Sequence, residues 1–292
     1  MRGASLTALI VSAARGVEHD GDGRVLDPYA ADLLPPIAGR AIRALSRLTA
    51  RTPVAVAVDL ASLGLVAHVA LRTLAIDAEV KRFADRSVRP QLVILGAGAD
   101  SRAHRLEALR GARVFEVDHP DTQAEKRQRA AHLPRLAELT YVPVDFERDS
   151  LDAALSRSGF DRSRPTFVIW EGVTMYLTPG AFLGTLRVLR GLLAPGSAVA
   201  VTYGLPRMTT LLPRAATSVA ALGFDILGES LRGLMTSEVI SQRLQDEGYR
   251  SVSDTGPVDW ARAAGRRRWR SAVLERLAVA EVAAAEEVAN TG

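Results

Sequence analysis

The sequence predicts an α/β protein with a doubly wound, mostly parallel seven-stranded sheet, preceded by a helical cap and interrupted by an insertion after the fifth strand. Three observations predict it. Beyond Pro90, short apolar runs alternate with helix-patterned segments, the mark of successive βαβ units. The first of these runs leads straight into a glycine-rich turn. Before Arg89 the pattern is helical only.

In chain order, Leu6 to Ala14 follows Arg2 and imitates a short secretory h-region, but Arg15 and Glu18 come at once with no convincing cleavage site, so an amphipathic helix is expected. Asp27-Pro28-Tyr29 opens a segment to Leu34, Pro35-Pro36 breaks it, and Ile37 to Leu48 resumes at helical spacing. Thr52-Pro53 supplies an N-cap and a first-turn proline for a stretch that could reach Phe83. Residues 1–89 thus read as a cap with a lead-in helix, and residues 90–292 as the main domain.

The expected strands are Gln91 to Leu95, Arg113 to Val117, Thr140 to Val144, Thr166 to Trp170 and Ala198 to Tyr203. Helices are expected over Arg102 to Leu109, Asp121 to His132, Leu151 to Ser158 and Ala181 to Leu193. Residues 205–235, broken by Pro206, Pro213, Gly223, Gly228 and Gly233, read as an inserted lid. A helix from Thr236 to Glu247 and strands at Tyr249 to Asp254 and about Ala272 to Ala280 complete the sheet, and Ala283 to Gly292 reads as a frayed tail.

Composition narrows the chemistry. The 292 residues contain no cysteine, which excludes disulfides, thiolate metal sites and cysteine nucleophiles and fits a reducing cytoplasm. The net charge of +4 comes with 33 acidic residues interspersed, so a nucleic-acid partner is not expected, and the cluster Arg266, Arg267, Arg268 and Arg270 around Trp269 reads as a solvated turn. No apolar run approaches the roughly 20 residues a membrane span needs, and no membrane partner is expected. The five histidines show no metal-ligand spacing, and no metal is expected.

The first strand runs into Gly96-Ala97-Gly98-Ala99-Asp100-Ser101, where glycines let the backbone approach a ligand and the next helix start offers free N–H groups. Ser101 stands where the full dinucleotide fingerprint has its third small residue. Asp118, twenty positions beyond Gly98 at the second strand end, suits the hydroxyls of a ribose. Asp145 after the third strand can accept from an adenine amino group, and Glu171 after the fourth can face an amino-acid end or a second substrate. Three carboxylates at consecutive strand ends suit a cationic sulfonium ligand better than an anionic pyrophosphate. The readings left open are a nicotinamide-dependent Rossmann oxidoreductase and a non-catalytic cofactor-binding module.

Over roughly Ser12 to Tyr203 the chain resembles the leucine carboxyl methyltransferases and the bacterial polyketide-type O-methyltransferases. The matching blocks are Arg15 with Glu18, Asp27-Pro28-Tyr29-Ala30, Arg72 to Asp77, Leu95 to Arg102 with Arg105-Leu106, Phe115 to Pro120 with Lys126, Val144-Asp145, and Glu171-Gly172 with Tyr176-Leu177. The resemblance implies a Rossmann-like class I fold, S-adenosyl-L-methionine as cofactor and methyl transfer to oxygen of a small molecule, a carboxylate or a hydroxyl. It further implies Arg72, with Arg15, for the methionine carboxylate, Gly96 and Gly98 for backbone contact, Asp118 for the ribose, Asp145 and Phe146 for the adenine, and Glu171 for the methionine amino end. The sequence departs from the family pattern at Ala99, His104, His119 and Phe146-Glu147, all on the adenine side. Candidate acceptor-side groups are Tyr176, His119 and His104, with Arg15, Arg102 and Arg207 as candidate holders of an acceptor carboxylate.

Overall fold

The computed structural model describes residues 6–18, 26–50, 52–62, 64–206, 231–266 and 273–282. Helices α1 (Leu6–Val17), α2 (Pro36–Thr49), α3 (Thr52–Ala61) and α4 (Leu65–Asp85) precede the first strand. Then follow β1 (Gln91–Leu95), α5 (Arg102–Arg105), β2 (Arg113–Asp118), α6 (Pro120–Arg129), β3 (Glu138–Pro143), α7 (Leu151–Arg157), β4 (Thr166–Trp170), α8 (Pro179–Leu192) and β5 (Ala198–Gly204). The chain closes with α9 (Ser237–Asp246), β6 (Tyr249–Thr255), α10 (Pro257–Ala263) and β7 (Glu275–Val282).

The strands form one sheet in the order β3-β2-β1-β4-β5-β7-β6. β1 to β5 are mutually parallel, and β7 runs antiparallel between β5 and β6. Every residue of β1, β4 and β5 is buried, as predominantly apolar strands covered on both faces must be. The period of two in β1 separates the two cores. Val93 and Leu95 join Phe115, Trp170, Phe182 and Leu186 on one face, while Leu92 and Ile94 join Phe167, Leu71, Ile76 and Val80 on the other. α4 is therefore one of the layers packed on the sheet. The chain reverses its winding between β1 and β4, so the crevice beyond their carboxyl ends is where such a sheet takes a ligand.

Helix starts follow their caps. Ser150, Thr178 and Thr236 each accept a hydrogen bond from a backbone N–H of the first turn that follows, at α7, α8 and α9. Several boundaries differ from the sequence expectation for local reasons. The stretch from Thr52 is two helices, because Gly64 takes a φ of 77° and ends the run before α4. Residues 27–34 form turns, held in part by Asp27 Oδ1 accepting from Tyr29 N at 3.1 Å. The helix from Arg102 stops at Arg105 because Leu106 is extended, and a 3-10 turn, Glu107–Leu109, finishes it. α10 was not anticipated; its signal is Gly256-Pro257 with Asp259 accepting from Gly256 N at 3.0 Å.

Of the expected insertion, residues 207–230 lie outside the described residues, as do Arg267 to Arg270 and the tail from Ala283. Residues 231–235 re-enter as a strap. Arg232 N and Gly233 N both reach Met175 O at 2.9 Å, and Met235 N reaches Gly204 O at 2.9 Å. Among the described residues no single helix is long and apolar enough to cross a membrane.

Candidate active site

The strand ends assemble around the glycine turn. Gly96 and Gly98 have φ of 65° and 45°, and a Cβ on Gly96 would stand 2.8 Å from Val173 Cγ2. Gly96 N and Ala97 N both donate to Val117 O, tying the turn to the end of β2. There Asp118 accepts from Gly98 N at 2.5 Å through Oδ2 and from His119 N at 2.6 Å through Oδ1. Burial raises the pKa of Asp118, against the lowering effect of these two amides. Each oxygen keeps a further lone pair for a ligand donor.

Glu171, one residue past β4, is held between two arginines: Arg72 Nε donates to Oε1 and Arg102 Nη1 to Oε2, both at 2.9 Å. Burial would raise its pKa, but the arginine charges outweigh burial and keep it below the ordinary range. Arg72 also donates through Nη1 to Glu275 at 2.7 Å, and its Nη2 makes no hydrogen bond among the described residues. That nitrogen lies 3.9 Å from the position of a Cβ on Gly172, beside the turn after β4. It leaves one guanidinium nitrogen, with both its N–H groups, for an incoming carboxylate.

Arg15 reaches the glycine turn from α1, donating to Ala99 O at 2.8 Å, with Nε 3.7 Å from Asp27. It braces the turn from the cap side, and its hydrogen-bond and ion-pair partners do not include Arg72 or Glu171. Asp145 lies next to Asp118 along the rim, since Val144 N donates to Asp118 O at 2.9 Å. Its Oδ1 accepts from Glu147 N at 3.0 Å, and Phe146 beside it is 51% exposed, leaving an aromatic face open.

The acceptor-side candidates separate. Tyr176 ends a 3-10 turn, Thr174–Tyr176, that leaves β4 and is anchored by the Thr174 hydroxyl on Thr202 O. His119 caps α6 beside Asp118 and is half-exposed. His104 is buried, with Nδ1 on Pro134 O at 2.7 Å and its pKa lowered chiefly by burial. The structure thus turns His104 Nδ1 toward the loop that enters β3. Arg102 is corrected likewise: it is fully buried and bound to Asp77, Asp100 and Glu171, with no surface for an acceptor. Arg207 lies outside the described residues.

Sequence reasoning missed the buried network behind these groups. Arg105 Nη1 donates to Asp77 at 2.7 Å, the Ser101 hydroxyl to Asp27 at 2.6 Å, and His68 Nε2 lies 3.0 Å from Glu275 Oε2. His68 and Arg72 are one turn apart on α4, a spacing that could have suggested a shared partner, but Glu275 is about two hundred residues away and carries no local signal. Beneath Asp118, on the same face of β2, Glu116 is buried with Lys126 Nζ 2.6 Å away. α1 covers the glycine turn. Between them is a cavity of only about 10 Å³, lined by Ala8, Leu9, Gly98, Ala99, Thr122 and Lys126 among others. A larger cavity, about 240 Å³, lies between α9 and β6 and contains none of the strand-end residues. Among the described residues no group of three or more metal-ligating side chains is placed to hold a metal ion.

The chain matches the leucine carboxyl methyltransferase family over residues 8–190. It is 31% identical over 271 residues to a candidate S-adenosyl-L-methionine-dependent methyltransferase of Streptomyces coelicolor, covering 90% of this chain and 87% of that one. A Saccharopolyspora erythraea protein of the same description is 34% identical over 240 residues, 77% of each chain. Among solved structures, a DUF574 family protein from Streptomyces avermitilis superposes with a TM-score of 0.62 at 17% identity, covering 96% of this chain and 98% of that one. A candidate methyltransferase from Thermobifida fusca gives 0.58 at 19%, covering 97% and 96%. At these identities the structural likenesses speak to the fold, while the family match sets aside the nicotinamide oxidoreductase and the non-catalytic module. The chain belongs to the leucine carboxyl methyltransferase family, and is an S-adenosyl-L-methionine-dependent methyltransferase with a seven-stranded class I fold.

Proposed function

We propose that the chain methylates a carboxylate of a small molecule, giving a methyl ester, with the cofactor held by Arg72, Gly96, Gly98, Asp118, Asp145, Phe146 and Glu171. The donor set fits that cofactor. The spare Arg72 Nη2 suits the methionine carboxylate, and Glu171, kept ionised by two arginines, suits the ammonium. The glycine turn leaves the backbone open where side chains would intrude, and Asp118 has lone pairs for both ribose hydroxyls. Asp145 offers an acceptor to the adenine amino group, and Phe146 an open ring beside it. Arg15 acts through the turn it braces.

When bound, the cofactor supplies a methyl group on a sulfonium, which passes to an acceptor oxygen as the carbon–sulfur bond breaks. A carboxylate is already ionised at neutral pH, so the protein has only to position it and exclude water. One observation carries the choice of a carboxylate: Glu171, Asp118 and His104 are already committed to protein partners. Glu171 is clamped, Asp118 is bound by two amides and His104 is buried on Pro134 O. The second reading is a hydroxyl acceptor, for which half-exposed His119, after β2, is the remaining histidine base near the rim, and Tyr176, in the turn after β4, a further hydroxyl. The family match supports the first reading.

The test uses cofactor labelled in its methyl group and a mixture of small-molecule extracts. Mild alkaline treatment of the labelled product releases volatile methanol from an ester and leaves a methyl ether intact. Label that resists base moves the assignment to a hydroxyl and to His119.

A further inference from the structure

We propose that the outer face of α2 and α3 is a docking surface for an anionic lipid bilayer, which the protein touches without spanning it. The stretch between Asp32 and Asp59 contains Arg40, Arg43, Arg47 and Arg51 and no acidic residue, where the chain's 33 acidic residues, spread evenly, would put about three.

On α2, Ile37, Ala41, Ala44 and Leu48 recur at helical spacing and form one stripe, and Arg40, Arg43 and Arg47 form a second stripe beside it. Both stripes are exposed. The buried side is the opposite one, with Gly39, Ser46 and Thr49. Arg43 makes only a 3.3 Å pair with Asp32, and Arg40 and Arg47 make no ion pair among the described residues. α3, which packs against α2, also exposes Val56 and Leu60, one turn apart, and its single acid, Asp59, accepts from Ala67 N at 3.2 Å.

Four large aliphatic side chains stand in water here: Ile37 is 81% exposed, Leu60 66%, Leu48 54% and Val56 53%. Scattered apolar residues need no explanation, but four within two consecutive helices, beside unneutralised arginines, do. Aliphatic side chains flanked by arginines fit the boundary between headgroups and acyl chains, where the cation meets lipid phosphate and the aliphatic group enters the hydrocarbon edge. A nucleic acid would meet the same charge but would leave Ile37, Leu48, Val56 and Leu60 facing water and phosphate, so the bilayer is the better fit. The surface is tied to the active site. Gly16 of α1 packs so closely on Ile42 of α2 that a Cβ would stand 2.8 Å from it, and α1 lies over the glycine turn.

The assay is co-sedimentation of the full chain with vesicles of phosphatidylcholine alone and with about one-third phosphatidylglycerol, in low salt and in about 0.5 M salt, where charges are screened. Pelleting is expected with the anionic vesicles and not the zwitterionic ones, and is expected to fall in high salt. The double variant R40E/R47E is expected to bind at least about 25-fold more weakly, roughly fivefold per arginine. The variant I37D/L60D is expected to lose binding at low salt as well. Both keep S-adenosylhomocysteine affinity, which certifies the fold. Each of the following overturns the proposal: no pelleting, equal binding to both vesicle types, binding by R40E/R47E at the wild-type level, polynucleotide binding without vesicle binding, or a concentration-dependent dimer without vesicle binding.

Discussion

Replacing Asp118 by alanine separates two roles the structure gives to one carboxylate. Asp118 accepts from Gly98 N at 2.5 Å and from His119 N at 2.6 Å, so it braces the glycine turn before any ligand arrives. The alanine variant leaves both amides without their acceptor. At about 1 to 3 kcal/mol for each orphaned buried donor, and with water reaching a half-buried rim, the unfolding free energy is expected to fall by about 2 to 4 kcal/mol. Loss of the ribose acceptor is a separate effect. A hydrogen bond to a charged group contributes about 1.5 to 3 kcal/mol, which predicts S-adenosylhomocysteine affinity about 10- to 150-fold weaker. The substitution Asp118→Asn keeps one acceptor oxygen, so it is expected to fall between wild type and alanine in both respects. Calorimetric titration measures affinity and urea unfolding measures stability, at a temperature where each variant is fully folded. A variant that loses stability but binds within about twofold of wild type refutes the ribose assignment and leaves Asp118 as a brace only.

The buried pair Glu116 and Lys126 predicts a pH dependence: burial pushes the Glu116 carboxyl up to about 7, against the attraction of Lys126. Because this acid binds its proton more tightly folded than unfolded, its contribution is fully present below its unfolded value near 4.5 and is lost as pH rises to about 7, by up to roughly 3 kcal/mol. Urea unfolding at intervals across that window should show the slope in wild type and lose it in the double variant Glu116→Met/Lys126→Met; the same slope in both would exclude Glu116 as its source. At the other extreme, Glu275 is held at about 2 despite its burial by Arg72 and His68, so its contribution, present above the unfolded value, is lost only as pH falls through that range. Gly233→Ala would place a Cβ 2.1 Å from Thr174 O, so the strap must leave the turn that carries Tyr176; we expect kcat/KM to fall at least tenfold with S-adenosylhomocysteine affinity nearly unchanged, and unchanged kinetics would show that the strap plays no part. With only about 10 Å³ free between α1 and the glycine turn, a ligand on that turn is expected to displace α1; hydrogen exchange in α1 should differ between free and S-adenosylhomocysteine-bound protein, and identical exchange would refute that movement.

The parts of this molecule written in local pattern were legible beforehand. Apolar runs of four, each led by one polar residue and bounded by turns, marked β1 and β4 to the residue, and the glycine turn with acids at the next three strand ends marked the rim of the candidate site. Boundaries set by a single backbone conformation were not legible, as at Gly64 and Leu106, because either residue can sit in several conformations until packing selects one. His104 illustrates the same limit on the chemical side. Its position after the glycine turn pointed to the substrate, and only the packing of α5 on the loop before β3 directs its ring to Pro134 O.

What the sequence by itself determined is the order of the strands and of most helices and the presence of carboxylates at strand ends, since hydrophobic period and turn chemistry act within a few residues. What the tertiary structure decided is how those charges are used. The partners that hold Glu171 ionised and leave one Arg72 nitrogen open come from α4, from the start of α5 and from Glu275 at the start of β7. Ion pairs between such distant positions depend on the folded distance alone, and in a buried site that distance sets which groups are spent on one another and which remain for a ligand.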